Sequence, residues 1–126
     1  MMIKQLSVFV QNESGRLVNV TEILQQANIN ISALSIAETE EYGILRMIVS
    51  DIDKAVEALR ANNYSVKITD VICIITPDVP GALSENLKAL AAEGINVAYM
   101  YGYSSDGKAR LVLKTNDPKR AAEILK

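Results

Sequence analysis

The sequence predicts an α+β protein made of two βαββαβ modules in tandem, and three observations lead to that prediction. The chain repeats itself, because residues 6–60 align without a gap with residues 72–126. Within each repeat, segments of alternating hydrophobicity are interleaved with segments whose apolar residues recur at helical spacing. A repeat of this length is too long for a solenoid unit and fits one small module. We place the two domains at residues 1–69 and 70–126.

Identical residues at equivalent positions support the duplication. Most of the remaining pairs keep an apolar residue opposite an apolar residue, as in Val8 and Ile74. Each repeat alone would be only marginally stable, so we expect the two halves to stabilise each other. The identical pairs are Gly15/Gly81, Leu17/Leu83, Leu24/Leu90, Ile29/Ile95, Asn30/Asn96, Leu45/Leu111, Asp51/Asp117, Ala55/Ala121, Glu57/Glu123 and Leu59/Leu125.

The first repeat predicts strand, helix, strand, strand, helix and strand in that order. Residues 4–10 alternate and form the first strand, and 12–15 have turn chemistry before a helix that extends to about Ala27. Residues 29–37 and 44–49 form the next two strands. Asp51 caps a second helix marked by apolar residues at 55, 56 and 59, and residues 64–69 form the last strand.

The second repeat predicts the same order without its last strand. Residues 71–76 form a strand, the next helix ends at Gly94, and residues 95–103 and 109–115 form a hairpin around Asp106-Gly107. Asp117 and Pro118 start the final helix. Only Asp70 separates the two modules, so we expect one long strand to run through both. The apolar residues 71–75 lack a neighbouring strand, and we expect a partner chain to cover that edge.

Composition excludes several classes of function. The chain of 126 residues carries a net charge of −2 and no run of Lys or Arg, which argues against nucleic-acid binding. It has no apolar stretch long enough to cross a membrane, and no signal-peptide pattern opens it. With no histidine and one cysteine, it lacks the residues for a Ser-His-Asp triad, a His-based zinc site or a CxxC motif. We therefore expect a cytoplasmic protein that is not an enzyme and needs no cofactor.

The loop after the first strand of each repeat carries a motif that resembles a known family. Residues 8–17 read VFVQNESGRL and residues 74–83 read IITPDVPGAL, which are similar to the x-N/D-x-P-G-x-L opening of ACT domains. Residues 27–31 (ANINI) and 93–97 (EGINV) resemble the next signature of that family, a G-I/V-N-I run entering the second strand. The resemblance covers essentially the whole chain, and the family has the ferredoxin-like βαββαβ fold.

The resemblance implies a regulatory module that binds an amino acid between two side-by-side ACT domains. In such pairs the second strands meet edge to edge in an eight-stranded antiparallel sheet with helices on one face. The ligand lies between the first loop of one domain and the start of the second strand of the other. Carried over, one pocket uses Asn12, Ser14, Gly15, Arg16 and Leu17 with Asn96, and the other uses Asp78, Pro80, Gly81, Ala82 and Leu83 with Asn30.

The chemistry of these residues suits a zwitterion. Free N–H groups at the start of the helices after Gly15 and Gly81 would attract a carboxylate, and an asparagine amide both donates and accepts hydrogen bonds. Asp78 could pair with an ammonium group, whereas Asn12 at the matching position could only form a hydrogen bond to it. Structural roles also explain these residues: the glycines as turn residues, the asparagines as backbone partners, and Asp78 as a helix cap.

Other functions compete with that of an amino-acid sensor. The module could bind nothing and serve only to assemble a homodimer or to dock to a metabolic enzyme. Tyr99, Tyr101 and Tyr103 alternate along one strand and point the same way, which would suit packing between the halves, an oligomer contact or an aromatic wall for a ring-bearing ligand. The same tyrosines on an open sheet face would also suit RNA binding. An acylphosphatase-type enzyme would share the topology but needs an arginine phosphate cradle, and Arg16 has Ala82 opposite it in the second repeat.

Overall fold

The computed structural model describes residues 1–11, 13–38 and 42–126, which form two compact units. One unit consists of Lys4–Thr69, and the other consists of Asp70–Lys126 together with Met1–Ile3. Asn12 of the predicted site and residues 39–41 of the predicted connection between the second and third strands lie outside the described residues.

The unit of Lys4–Thr69 is an antiparallel sheet with two helices. The strand order is β2-β3-β1-β4, and the register sets Leu6 opposite Met47 and Val8 opposite Leu45. The elements are β1 (Met2–Gln11), α1 (Arg16–Gln26), β2 (Ile31–Glu38), β3 (Tyr42–Val49), α2 (Ile52–Ala61) and β4 (Ser65–Pro77), of which β4 continues into the other unit.

The second unit is built around the remainder of β4. Strand β6 pairs antiparallel with both β4 and β5, with Ile72 opposite Leu113 and Met100 also opposite Leu113. Asp106 and Gly107 both have positive φ, as the predicted two-residue hairpin turn requires. The added elements are α3 (Ala82–Ala92), β5 (Val97–Ser105), β6 (Lys108–Thr115) and α4 (Pro118–Ile124).

The predicted fold class is confirmed: the protein is α+β, and its described residues form six antiparallel strands and four helices in two ferredoxin-like modules. The long strand expected through both modules is β4, which has 13 residues. The described residues thus form six strands and not the eight-stranded sheet that the resemblance implies. The expected edge-to-edge pairing of the two second strands is not formed among them, because β2 pairs with β3 and β5 pairs with β6. The strand missing from the second module is replaced by Met1–Ile3, because the N–H of Cys73 donates to the backbone oxygen of Met1 at 2.8 Å. Our expectation that a partner chain covers this edge was wrong at Cys73.

Each unit has its own hydrophobic core on the helical face of its sheet. In the unit of Lys4–Thr69, alternate residues of β1 point toward α1 and α2, where Leu6 and Val8 are fully buried beside Leu24 and Leu59. In the other unit, the core residues are Ile72, Ile74, Leu90, Ile95, Leu113 and Ala121. The apolar periodicity of the sequence thus fixes which face of each strand the helices cover.

The helix ends follow local chemistry. The side chains of Asp51 and Asp117 accept hydrogen bonds from the backbone N–H groups of Lys54 and Arg120, both at 3.1 Å, and so cap α2 and α4. Asn28 and Gly94 follow the ends of α1 and α3 with positive φ, the conformation that terminates many helices. At α4, the hydrogen bond that Arg120 donates to the Glu93 carboxylate raises the pKa of Arg120.

The tyrosines of β5 face the side of the sheet away from the helices. Tyr101 lies opposite Val112 and Tyr103 opposite Arg110, residues whose neighbours Leu113 and Leu111 pack in the core on the other face. Tyr99 and Tyr101 are partly buried and Tyr103 is exposed. The alternation therefore does place all three on one face, as the sequence predicts.

Candidate functional site

Gly15 and Gly81 open the first helix of each unit. They are the N-cap residues of α1 and α3 and have left-handed backbones, with φ of 85° and 91°. A Cβ at either position would meet no other atom within 4 Å, so backbone conformation explains the glycines without any close packing. Open space therefore lies beside both helix N-termini.

The N-termini of α1 and α3 differ from those of α2 and α4. Among the described residues, no side chain caps α1 or α3, whereas aspartates cap both other helices. In α1, the N–H of Arg16 donates to Glu13 O at 3.3 Å and the N–H of Asn19 donates to Gly15 O at 3.0 Å. The N–H groups of Leu17 and Val18 lie between them and have no acceptor among the described residues.

The same pattern holds in α3. The N–H of Ala82 donates to Val79 O at 3.2 Å and the N–H of Glu85 donates to Gly81 O at 2.9 Å. In the part of the chain that the structure describes, the N–H groups of Leu83 and Ser84 have no acceptor. Each unit thus presents two backbone donors at the positive end of a helix dipole, an arrangement that binds anions.

The other predicted residues of the first loop surround the start of α1. Ser14 and Leu17 are exposed, and Arg16 is partly buried. The Arg16 guanidinium donates to Gln11 Oε1 at 2.9 Å and to Glu13 Oε2 at 3.3 Å. The N-termini of α1 and α3 are called the helix tips below. Arg16 therefore extends back from the helix tip of α1 toward the end of β1.

The corresponding residues of the second loop surround the start of α3. Asp78, Pro80 and Leu83 are exposed, and Ala82 is partly buried. The N–H of Asp78 donates to Gly107 O at 3.0 Å, which ties the loop to the β5–β6 turn. The Asp78 side chain does not cap α3, contrary to one structural role that the sequence suggested for it.

Asn30 and Asn96 each precede the second strand of their unit and form hydrogen bonds through their backbone groups. The Asn30 N–H donates to Ser50 Oγ and its carbonyl accepts from the Ser50 N–H, both at 2.9 Å. The Asn96 N–H donates to Asn116 Oδ1 at 2.9 Å, and its carbonyl accepts from the Asn116 N–H at 3.2 Å. These bonds satisfy the backbone and leave both exposed side-chain amides without a hydrogen bond to the described residues.

Within one unit, the glycine and the asparagine lie at opposite ends of the first helix. Helix α1 has 11 residues and is about 16 Å long, and α3 has the same length. One small ligand cannot touch Gly15 and Asn30 of the same unit, or Gly81 and Asn96 of the same unit.

A cleft beside Asn30 contains residues that the sequence did not single out. It has a volume of about 350 Å³ and is lined by Asn30 together with Thr21 and Gln25 from α1. The spacing of Thr21 and Gln25, four residues apart on a predicted helix, was the signal that could have indicated their shared face.

Two further properties restrict the chemistry of the described residues. They hold no group of three or more His, Cys, Asp or Glu side chains that could bind a metal ion. No helix among them is long and apolar enough to cross a membrane.

Comparison with known proteins adds to this geometry. Protein BT0572 from Bacteroides thetaiotaomicron is 50% identical over 99% of this chain and 87% of its own, with a TM-score of 0.95. The ligand-free regulatory subunit of aspartate kinase from Thermus thermophilus shares the fold, with 13% identity, a TM-score of 0.70, and coverage of 98% of this chain and 94% of its own.

A curated relative matches a shorter stretch. The acetolactate synthase small subunit of Buchnera aphidicola subsp. Schizaphis graminum (strain Sg) is 32% identical over 72 residues, which span 56% of this chain and 44% of that protein. A family model described as an ACT domain pair matches residues 1–126. Since this match spans the whole sequence, and both repeats have the fold and the glycine-opened first helix expected of such a pair, the protein belongs to the ACT domain pair family.

Proposed function

We propose that the protein is a non-catalytic regulatory module that binds an amino acid through the uncapped N-termini of α1 and α3. The contrast with α2 and α4 supports this proposal: Asp51 and Asp117 cap those helices, while the helices after Gly15 and Gly81 keep free donors. A ligand carboxylate would accept hydrogen bonds from these donors and interact favourably with the helix dipole.

The two helix tips differ in charge, so we expect them to differ in affinity. The first turn of α1 contains no acidic residue, whereas that of α3 contains Glu85. Lys88 lies 3.7 Å from Glu85, but both side chains are largely exposed, and the pair is screened by solvent. We propose that α1 binds the carboxylate more tightly.

We propose that the free amides of Asn30 and Asn96 hold the other end of the ligand. Each asparagine is separated from the glycine of its own unit by the length of a helix, so a ligand that touches both residue types needs two ACT modules. This requirement is compatible with an interface site of the kind that the resemblance implies, formed by ACT modules of two chains.

We also propose that the protein forms a homodimer through an open sheet edge. Strand β2 has β3 as its one partner among the described strands, and Leu34 and Ile36 on it are 52% and 47% exposed. An exposed edge with large apolar side chains is a surface that proteins usually cover. Self-association without a ligand is the second candidate function, and these two residues favour it.

A metabolic enzyme is the proposed target of the regulation. The support is the 32% identical relative, which by its name is the small subunit of acetolactate synthase. Because the match spans less than half of that protein, it indicates a class of partner and does not identify one.

A thermal-shift screen against the twenty amino acids tests the ligand proposal. A ligand at 100 times its dissociation constant should stabilise the fold by about 2.7 kcal/mol. Asn96→Ala should weaken the shift, while Gln26→Ala, which removes another exposed amide, should not. If no amino acid at millimolar concentration raises the midpoint, the assembly function replaces the sensor.

A charge substitution tests the role of the helix tip itself. Val18 is exposed in the first turn of α1, and Val18→Glu would place a carboxylate beside the free donors. We expect Val18→Glu to lower affinity for the ligand, because the new carboxylate competes for the donors and repels an anion. Val18→Gln has the same shape without the charge and serves as the control. Equal affinities in the two variants would remove this helix tip from the site.

A further inference from the structure

A groove in the unit of Lys4–Thr69 is lined by Arg16 and by residues of the connection between α2 and β4. It has a volume of about 420 Å³, within the range of small-molecule sites. Four parts of the unit form it: the end of β1, the start of α1, the start of β3, and the connection from α2 to β4. The lining residues used below are Gln11, Arg16, Asn19, Asn62, Asn63 and Tyr64.

Hydrogen bonds orient the polar side chains at the centre of the groove. Asn19 Nδ2 donates to the Tyr64 hydroxyl at 2.7 Å, which links α1 to the residue before β4. The Tyr64 ring packs against the hydrophobic core of the unit. Asn62 Nδ2 donates to Ala58 O at 2.8 Å, so the amide of Asn62 is also fixed. These bonds hold the polar atoms in place before any ligand arrives.

Each of these side chains keeps a hydrogen-bond donor or acceptor that a ligand could use. The Tyr64 oxygen accepts from Asn19, so its own proton is available to donate. Asn19 and Asn62 each use their NH₂ group in the bonds above and keep a side-chain oxygen that can accept. The groove thus offers donors and acceptors within one cavity.

Arg16 is the one formally charged residue among the described residues that line the groove. Its guanidinium donates to Gln11 Oε1 at 2.9 Å and to Glu13 Oε2 at 3.3 Å. Glu13 is not part of the lining, and both side chains of this ion pair are substantially exposed, at 41% for Arg16 and 60% for Glu13. An exposed pair of this kind is weak, so a ligand carboxylate can take the place of Glu13.

The equivalent positions of the other unit lack this chemistry. Ala82 stands where the first unit has Arg16, and Glu85 stands where it has Asn19. A carboxylate ligand would lose its cation there and meet a negative charge instead. The groove is therefore a property of the first ACT module and not of the repeat.

We propose that this groove is a second, intramodular binding site for a small carboxylic acid that also carries hydroxyl or amide groups. Arg16 and the Tyr64 hydroxyl bind the carboxylate, and the side-chain oxygens of Asn19 and Asn62 accept hydrogen bonds from the polar groups. The site needs no residue of another ACT module. It shares Arg16 with the start of α1, and the α2–β4 connection distinguishes it from the helix-tip site.

NMR titration of the full chain tests the proposal. The probes are lactate and malate, which carry a hydroxyl group, and succinamate, which carries an amide group, and the neutral controls are lactamide and succinamide. Saturable shifts of the side-chain amide signals of Asn19, Asn62 and Asn63 are expected with at least one acid, and with neither neutral amide. Signals of the Leu17 and Val18 backbone N–H groups report the helix tip separately, so failure of one site is distinguishable from failure of the other.

Three variants separate a binding role of Arg16 from a structural one. Arg16→Gln should weaken acid binding at least about tenfold, because a charge-assisted hydrogen bond is lost. Tyr64→Phe keeps the aromatic ring, removes the hydroxyl and should weaken acid binding several-fold. Glu13→Gln should strengthen binding several-fold, since it removes the carboxylate that competes for Arg16. Lys88→Gln makes the same charge change as Arg16→Gln in the other unit and should leave affinity unchanged.

The outcomes are decisive in either direction. Saturable shifts at the groove amides that depend on Arg16 support the site. If none of the acids shifts these signals, or if they respond equally in wild type and Arg16→Gln, the groove is not a carboxylate site. A matching loss in Lys88→Gln would attribute the effect to net charge and overturn the proposal as well.

Discussion

Met1 and Cys73 form a backbone pair in which each residue donates to the other. The Cys73 N–H donates to Met1 O at 2.8 Å, and the Met1 nitrogen donates to Cys73 O at 3.1 Å. This pairing adds Met1–Ile3 to the sheet of the second unit, beside the apolar β4 residues Val71 and Ile72, which are both fully buried. An unpaired apolar edge is an aggregation hazard, and here the chain covers it with its own residues.

Removal of residues 1–3 should therefore destabilise the unit that contains Asp70–Lys126. Each lost hydrogen bond contributes about 0.5–1.5 kcal/mol net, so we expect a loss of about 1–3 kcal/mol in the free energy of unfolding. Urea denaturation measures that loss, and hydrogen exchange of the Cys73 amide should become faster. Met1→Ala keeps the backbone pairing and shortens a side chain that is 76% exposed, so it should have little effect. Unaltered exchange at Cys73 after the deletion would contradict the pairing.

The aspartate caps of α2 and α4 should contribute equally to stability. Asp51 and Asp117 each accept one hydrogen bond of 3.1 Å from the N–H three residues later. Replacement of either by alanine should cost about 1 kcal/mol, and replacement by asparagine much less, because its side-chain oxygen can still accept. Thermal or chemical unfolding of the four variants measures this. An alanine variant as stable as its asparagine counterpart would mean that the cap has no energetic role.

Gly102 occupies a position in β5 that excludes any side chain. A Cβ there would collide with the backbone oxygen of Arg110 and would press on the side chain of Leu111. Because a backbone atom cannot move aside without disturbing the β5–β6 pairing, Gly102→Ala should destabilise the protein by about 1–3 kcal/mol. Ser104→Ala, at an exposed position of the same strand, should change stability by less than about 0.5 kcal/mol. Comparable unfolding midpoints for the two variants would rule out the collision.

Much of the fold was predictable because it depends on local signals. The alternation in β1, the Asp51 and Asp117 caps, Gly94 after α3 and the Asp106-Gly107 turn each act over a few residues. The duplication added a long-range prediction, since two copies of one pattern must form two similar modules. Together these signals predicted the class, the order of elements and the continuous strand β4.

The features that the sequence did not predict depend on contacts between residues distant in sequence. The pairing of Met1 with Cys73 follows from β1 beginning at Met2, two residues before the predicted strand, and no periodicity signals that extension. The groove beside Arg16 also escaped prediction, because Tyr64 and Asn62 belong to a connection whose role appears only when it meets α1. The positions of Asn30 and Asn96 were predictable from the repeat, but their role as ligand contacts remains a proposal.

Self-association should depend on the open edge at β2. Leu34 and Ile36 lie on the strand that has β3 as its one described partner, and both are about half exposed. If a second copy covers this edge, Leu34→Lys or Ile36→Lys would bury an unpaired charge in the interface and shift the protein from dimer to monomer. Ile68→Lys provides a control, since Ile68 is 41% exposed on β4 and lies away from the β2 edge. Sedimentation velocity measures the assembly. A wild-type protein that is monomeric at tens of micromolar would eliminate the dimer, and with it the second ACT module that a ligand bridging two chains would require.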